Sequence, residues 1–409
     1  SAASDVYKRQ VQFVLSLFIS GIAAGAGIMA AQYWGKQDAA SIEKVIPIAL
    51  RTNLLFSGLF TILAGFCPEM LMRIFTNDAA LVASGSQYLR AVALSYVLCG
   101  ISQVYLILLK NTGHAAVSSR ISSTAVVLNI ILNAILIYGL CGAPALGIRG
   151  AAYATVAARV VELIWAYLET KKPERVRILW NRLFSSAGKI LSEDFWRYTL
   201  PVLAASLVWG IAYVLYSVIM GHMGSDAVAA NSITSIAKSL LSCLIRGVSG
   251  GAGVLIGNLL GANELEKARE YGGRLSHLSI AIGIVTGGLL MLISPAIVHF
   301  APLSDTAAEY LQYMLLFCGL NLMAQSVNTT VLDGIFCAGG DAKFDMQGNI
   351  GAMWCFSVPL GFLAAFWLKL PVMVVYCIVN LDEIVKLPAV YHHYKKYIWV
   401  RNITRDVED

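Results

Sequence analysis

Apolar residues fall in long unbroken runs separated by short polar stretches, without the alternation of a half-buried strand. Eleven runs are long enough to cross a bilayer as helices. They are Val11–Trp34, Val45–Phe66, Tyr88–Leu109, Ile121–Leu140, Ala151–Leu168, Tyr198–Met220, Ile233–Leu260, Leu275–Phe300, Tyr310–Phe336, Ile350–Leu368 and Val372–Val390. Barrel strands alternate over about ten residues. Helices are the other way to satisfy every backbone N–H and C=O in hydrocarbon.

The polar stretches alternate in basic content. Lys36 and Lys44 follow the first run, the next stretch has Arg73, and Lys110 and Arg120 come after that. Cys141–Ile148, Gly221–Asp226 and Ala301–Thr306 have no Lys or Arg, whereas the longest loop carries Lys171, Lys172, Arg175, Arg177, Arg182 and Lys189. Lys267, Arg269 and Arg274, then Lys343, Lys369, Lys395, Lys396, Arg401 and Arg405 continue the series. Basic loops face the cytoplasm, so the C-terminus is expected there. Ser1–Gln10 then falls outside, despite Lys8 and Arg9. One further helix ahead of Val11 would restore a cytoplasmic start and make twelve spans. Ser1–Gln10 is accordingly read as foreign to the fold.

The two halves match at a constant offset of 226 residues. Gly21-Ile-Ala-Ala-Gly-Ala-Gly27 returns as Gly247-Val-Ser-Gly-Gly-Ala-Gly253; Gly35 meets Gly261, Asp38 meets Glu264, Gly113 meets Gly339 and Ala116 meets Ala342. The expected architecture is an all-α membrane protein of two pseudo-symmetric six-helix lobes, eleven of the twelve helices present. The N-lobe covers 11–170, a cytoplasmic inter-lobe loop 171–197, the C-lobe 198–394 and a cytoplasmic tail 395–409. A parallel repeat places a substrate cavity between the lobes.

Composition agrees. Hydrophobic residues make up 58% and charged residues 13% of the chain, with a mean hydropathy of +0.69; soluble domains carry about 25% charged residues. The net charge of +6 is spread over loops, unlike a nucleic-acid-binding patch. None of the eight cysteines has CxxC spacing, the six histidines form no metal motif, and no phosphate-binding glycine loop occurs. No enzyme activity and no cofactor are expected.

Ionisable and amide residues inside the runs are candidates for function, because they are expensive there. Arg159 and Glu162, and Glu383 and Lys386, are each three apart on one helix face. Each pair is either a structural lock or part of a proton or cation relay. Arg246 sits midway along its run without a local partner and either faces the cavity or pairs with a distant carboxylate. Asn129 and Asn133, four apart on one face, either ligate Na⁺ through their carbonyls or bond neighbouring helices. Gln32 and Thr155 are similar cases. The glycines at 21, 25, 27, 247, 250, 251 and 253 permit close helix packing or bending.

Several segments together resemble the MATE (multidrug and toxic compound extrusion) transporters. Ala31-Gln32-Tyr33-Trp34-Gly35-Lys36-Gln37-Asp38 resembles the family's hallmark after its second helix. Asn111-Thr112-Gly113-His114-Ala115, Leu128-Asn129 through Asn133, Gly150-Ala151-Ala152-Tyr153-Ala154-Thr155 and Gly257-Asn258-Leu259-Leu260-Gly261-Ala262 match in the same order. The resemblance, from Val11 to about Lys396, implies twelve helices in an outward-opening V and cation-coupled drug efflux. It implies a cation site built on Asn129 and Thr155, with Asn133 standing where the family often has Asp. In some members a Glu in the seventh helix takes this role; the run after Pro201 offers none.

The expectation is a monomeric, multi-pass antiporter of a bacterial inner membrane, exporting small amphipathic cations for Na⁺ or H⁺. Na⁺ is expected at Asn129, Asn133 and Thr155, with Gln32 completing that cluster and Arg246 binding cation or substrate. The alternative is a flippase for lipid-linked oligosaccharides, which requires several bases to hold pyrophosphate.

Overall fold

Between Ala79 and Tyr138 the chain stays helical for 60 residues but does not stay straight. Thr112 leaves helical geometry (φ −103°, ψ 36°) and Gly113 takes φ +80°, a conformation that costs glycine little and other residues much. This kink, Lys110–His114, divides α4 (Ala79–Leu109) from α5 (Ala115–Tyr138). In this computed structural model, residues 2–74, 78–142, 144–178, 180–183 and 188–406 are described; side chains of 2–9, 141 and 182 lie outside that description, Lys8 and Arg9 among them.

The remaining helices are α1 (Ala2–Gly35), α2 (Ala39–Phe66), α3 (Pro68–Arg73), α6 (Gly147–Thr170), α7 (Lys189–Gly221), α8 (Ser225–Gly261), α9 (Leu265–Phe300), α10 (Asp305–Thr329), α11 (Ala342–Asn349), α12 (Val358–Phe362), α13 (Val372–Val379) and α14 (Asp382–Tyr394). Wider π-helical turns extend α10 through Phe336 and carry α11 and α12 on to Trp367. Among the described residues nine helices are long and apolar enough to span a membrane. The eleven expected runs reduce to nine because the kink joins two of them and the last is broken into α13 and α14. Large apolar side chains stand exposed on many helices, among them Leu55 (68%) and Leu292 (79%), as lipid contact permits.

Most helices begin before their apolar run. α7 starts at Lys189 rather than Tyr198, so the expected loop 171–197 is shorter. An apolar window registers hydrocarbon, whereas the helix continues through the polar interface. Side-chain caps hold some of these starts: Asp38 accepts from the Ser41 N–H at 2.9 Å and Asp78 from the Ala80 N–H at 2.8 Å.

The chain forms two units, with the division inside α7 between Leu203 and Ala204. In the first, α1 and α4 pack on α2 and on each other, α4 also packs on α6, and α6 on α5; Leu15, Ile19, Leu89, Val92 and Tyr96 fill its core. Arg405 and Asp406 belong to this unit: Arg405 bonds Asp194 at 2.7 Å and Asp406 bonds Lys36 at 2.7 Å. In the second unit α10 packs against α8, α9 and α14, around Ile219, Leu290, Leu311, Met314 and Leu315. The expected tail is partly core there. Trp399 is fully buried, and Arg401 donates to the carbonyls of Gly339 and Gly340, both at 2.8 Å.

Candidate functional site

In the first unit α5 and α6 lie side by side and bring three of the expected residues together. Asn133 Nδ2 donates to Asn129 Oδ1 at 3.0 Å, and Asn129 Nδ2 to Thr155 Oγ1 at 3.4 Å. Thr155 Oγ1 donates to the Ala151 carbonyl one turn back. Asn133 Oδ1 is buried and accepts nothing, so a carbonyl oxygen remains for a further partner. Farther along the α6 face that carries Thr155, Arg159 Nη1 reaches Glu162 Oε2 at 2.6 Å. Ser102 of α4 donates to the same oxygen at 2.9 Å.

Gln32 is not in this cluster. It is fully buried in the last turn of α1, near the kink, where Trp34 meets the His114 ring edge-on at 6.4 Å. Asn129 lies fourteen residues beyond Ala115 along α5, about 20 Å at the helical rise. The expected convergence of all four residues fails because helical rise separates them, whatever their shared polarity.

The second unit holds a larger constellation. The break at Asn380–Leu381 starts α14, placing Asp382 and Glu383 in its first turn, where unsatisfied N–H groups favour carboxylates. Lys386 Nζ lies 3.2 Å from Glu383 Oε1 and 3.8 Å from Asp382 Oδ2. It also donates to Asn349 Oδ1 at 3.2 Å, and Asn349 Nδ2 donates to Asp345 Oδ1 at 3.1 Å. Asn328 Nδ2 donates to Glu383 Oε2 at 2.8 Å. All of these side chains are buried. The expected pair Glu383–Lys386 is therefore the centre of a network drawing on α10, α11 and α14.

Beside it, Trp209, Tyr213 and Tyr216 of α7 and Lys238, Ser242 and Arg246 of α8 line a cavity that Asp382 and Glu383 also reach. Arg246 stands over the Trp209 ring at 5.7 Å and within the electrostatic reach of Asp333. Lys238 Nζ donates to Asn321 Oδ1 at 3.0 Å. Arg246 is thus not alone in its span: Lys238 lies eight residues earlier on the same face.

Asp333, Asp345, Asp382 and Lys238 escape the sequence reading. Each is an ionisable residue in or beside an apolar run, which is the available signal. Their grouping has no such signal, because the partners come from four separate helices.

The MatE family model matches residues 3–135 and 201–363. An uncharacterized transporter, YisQ, of Bacillus subtilis (strain 168) is 20% identical over 401 residues, 98% of this chain and 88% of that one. A probable multidrug resistance protein, YoeA, of the same organism is 21% identical over 97% of this chain and 86% of its own length. A MOP superfamily transporter from Pyrococcus furiosus superposes with a TM-score of 0.86 at 19% identity, covering 97% of this chain and 87% of that one; its binding pocket is described as reversed in polarity and as suggesting a different function. The family match takes in both halves, and the helical architecture agrees with it over nearly the whole length: the chain belongs to the MatE family of membrane transporters.

Proposed function

We propose that this chain is a secondary antiporter of a bacterial plasma membrane, acting as a monomer in the bilayer and exporting small amphipathic cations in exchange for Na⁺ or H⁺. The observation that carries the reading is the imbalance around Lys386: three carboxylates, Asp345, Asp382 and Glu383, gather near one ammonium. Lys238 is the other base whose charge reaches Asp382 and Glu383. Net negative charge removed from water is costly. A proton or Na⁺ relieves that cost, and an arriving organic cation competes for the same charge. The free oxygen of Asn133 supports a second cation position in the first unit. Multidrug resistance in the names of relatives such as YoeA agrees with drugs as cargo.

The test is ethidium transport by the purified chain in proteoliposomes, with Na⁺ and pH gradients imposed separately. One gradient is expected to drive transport, and Glu383→Gln to abolish that dependence while ethidium still binds. Asn133→Asp is expected to raise apparent Na⁺ affinity if the first unit holds the ion. Ethidium movement indifferent to both gradients would sink the reading. Lys238 beside Arg246 favours the second reading, a flippase for lipid-linked oligosaccharides, since two bases suit a pyrophosphate better than one. In that case fluorescent polyprenyl pyrophosphate, and not ethidium, would cross the bilayer.

A further inference from the structure

Within the carboxylate network of the second unit, Lys386 stands where a small metal cation would stand. Its Nζ lies 3.2 Å from Glu383 Oε1, 3.2 Å from Asn349 Oδ1 and 3.8 Å from Asp382 Oδ2. Oxygens from α11 and α14 thus converge on one nitrogen, and its side chain is only 5% exposed. The adjoining amide is turned to suit a place without a metal ion. Asn328 Nδ2 donates to the Glu383 carbonyl at 2.6 Å and to Glu383 Oε2 at 2.8 Å; the reverse orientation would set an amide oxygen against two oxygens. The charged groups that feel one another here are Lys238 and Arg246 of α8, Asp333 of the α10 extension, Asp345 of α11, and Asp382, Glu383 and Lys386 of α14. The Cys337 thiol faces Asp333 and Asp345, and the Tyr213 and Tyr216 phenols of α7 line the adjoining cavity. Among these described residues the carboxylates outnumber the bases by a single charge.

We propose that Lys386 is a specificity-determining residue: its ammonium keeps Na⁺ out of this network, and the inorganic cation taken up there is a proton, on Asp382. The inference rests on the reading of these carboxylates as a cation site and names which cation they take. A hard metal ion needs several oxygens around it, and the oxygens that could serve already surround the ammonium. Two positive charges a few ångströms apart in a medium of low dielectric repel strongly. A proton needs no vacancy; it takes one carboxylate lone pair, and no other bond changes. Of the four carboxylates, Asp382 and Glu383 reach the cavity. Glu383 is held by both Lys386 and Asn328. Asp382 has the Glu383 N–H as a donor, but its Oδ2 stands beyond hydrogen-bond distance from the ammonium. Its charge is the less well compensated of the two, and the proton goes there.

The test uses the purified chain in lipid nanodiscs and needs no organic substrate. Equilibrium binding of radioactive Na⁺ is compared between the unmodified chain, Asp382→Asn and Lys386→Met. Lys386→Met should bind about one more Na⁺ per chain, because the ammonium's place and its carboxylates become free for a hard cation. Asp382→Asn should leave Na⁺ binding as it is in the unmodified chain. Any Na⁺ held in the first unit is common to all three, so the differences report the second unit. In parallel, infrared titration of the unmodified chain should show a carboxylic C=O band that grows as pH falls, is unaffected by Na⁺ and is missing in Asp382→Asn. Should Lys386→Met fail to fold, the unmodified chain and Asp382→Asn still decide. Loss of Na⁺ binding in Asp382→Asn overturns the proposal, as does suppression of the band by Na⁺, a band that survives Asp382→Asn, or folded Lys386→Met without a gain in Na⁺. Ethidium that does not move would sink the export reading and leave these results standing; Na⁺ bound at Asp382 would sink this inference and leave export standing.

Discussion

A carboxylate moved out of water costs several kcal/mol unless other groups replace its hydration. Glu162, 2% exposed, has two such groups: the Arg159 guanidinium and the Ser102 hydroxyl. Glu162→Gln keeps an acceptor for Ser102 but leaves Arg159 without its counter-charge. Arg159 is 29% exposed, so water recovers part of the loss, and a cost of about 2 kcal/mol is expected, below the 3–5 typical of fully buried pairs. Thermal unfolding in detergent measures it; an unchanged midpoint would show the pair to be dispensable. The Arg159–Glu162 spacing is legible in the chain because three residues make almost one helical turn. Ser102 is not, since it arrives from α4, sixty residues earlier.

At the scale of elements the offset of 226 residues is reproduced bond for bond. After α1, Gln37 takes φ +65°, and after α8 Asn263 takes φ +61°. The Asp38 N–H donates to Tyr33 O and the Glu264 N–H to Leu259 O, both at 2.9 Å. Left-handed backbone costs a residue with a β-carbon about 1–2 kcal/mol, and asparagine tolerates it better than glutamine. Gln37→Gly is therefore expected to stabilise the first unit by about 0.5–1 kcal/mol, with a smaller gain for Asn263→Gly; a loss in unfolding midpoint for Gln37→Gly would contradict this. The glycines repeat less faithfully. A β-carbon on Gly21 would come within 2.9 Å of the Leu203 backbone, whereas one on Gly247 or Gly251 meets open space. The positive φ of Gly113 falls in the second half to Gly340, one residue beyond its partner Gly339. Sequence shows where glycine recurs, but only packing shows which hydrogens are needed. Gly287 and Gly288 offer a direct test: a β-carbon on Gly287 runs into the Gly319 carbonyl, and one on Gly288 meets nothing. Gly287→Ala should cost about 1–3 kcal/mol, while Gly288→Ala should be neutral or gain up to about 1 kcal/mol. Equal midpoints for the two variants would refute the close approach of α9 and α10.

For the whole molecule, the C-terminal stretch is the least expected contributor. Trp399 is fully buried against Gly272 and Gly339, while Trp367 is 82% exposed. Trp399→Ala should destabilise the second unit by about 3–5 kcal/mol, and Trp367→Ala in lipid should change little. Comparable melting of the two variants would mean that the stretch after Tyr394 is only a tail. The repeat sharpens the contrast between scaffold and chemistry. Helix starts recur at the offset of 226, Ala39 with Leu265 and Ala79 with Asp305, yet Asn129 and Asn133 fall opposite Cys355 and Pro359. The polar sites are thus not copies of one another. Apolar run length and loop charge by themselves determined a multi-pass helical membrane protein, because hydrocarbon imposes helices of set length on any chain that crosses it. They also determined the two ion pairs three residues apart. Only the tertiary structure decided that Gln32 stands away from Asn129, that Lys386 gathers carboxylates from two helices, and that Lys238 and Arg246 share a cavity with stacked rings. Those groupings depend on which helix faces pack together, and packing between distant helices leaves no periodic mark in the chain.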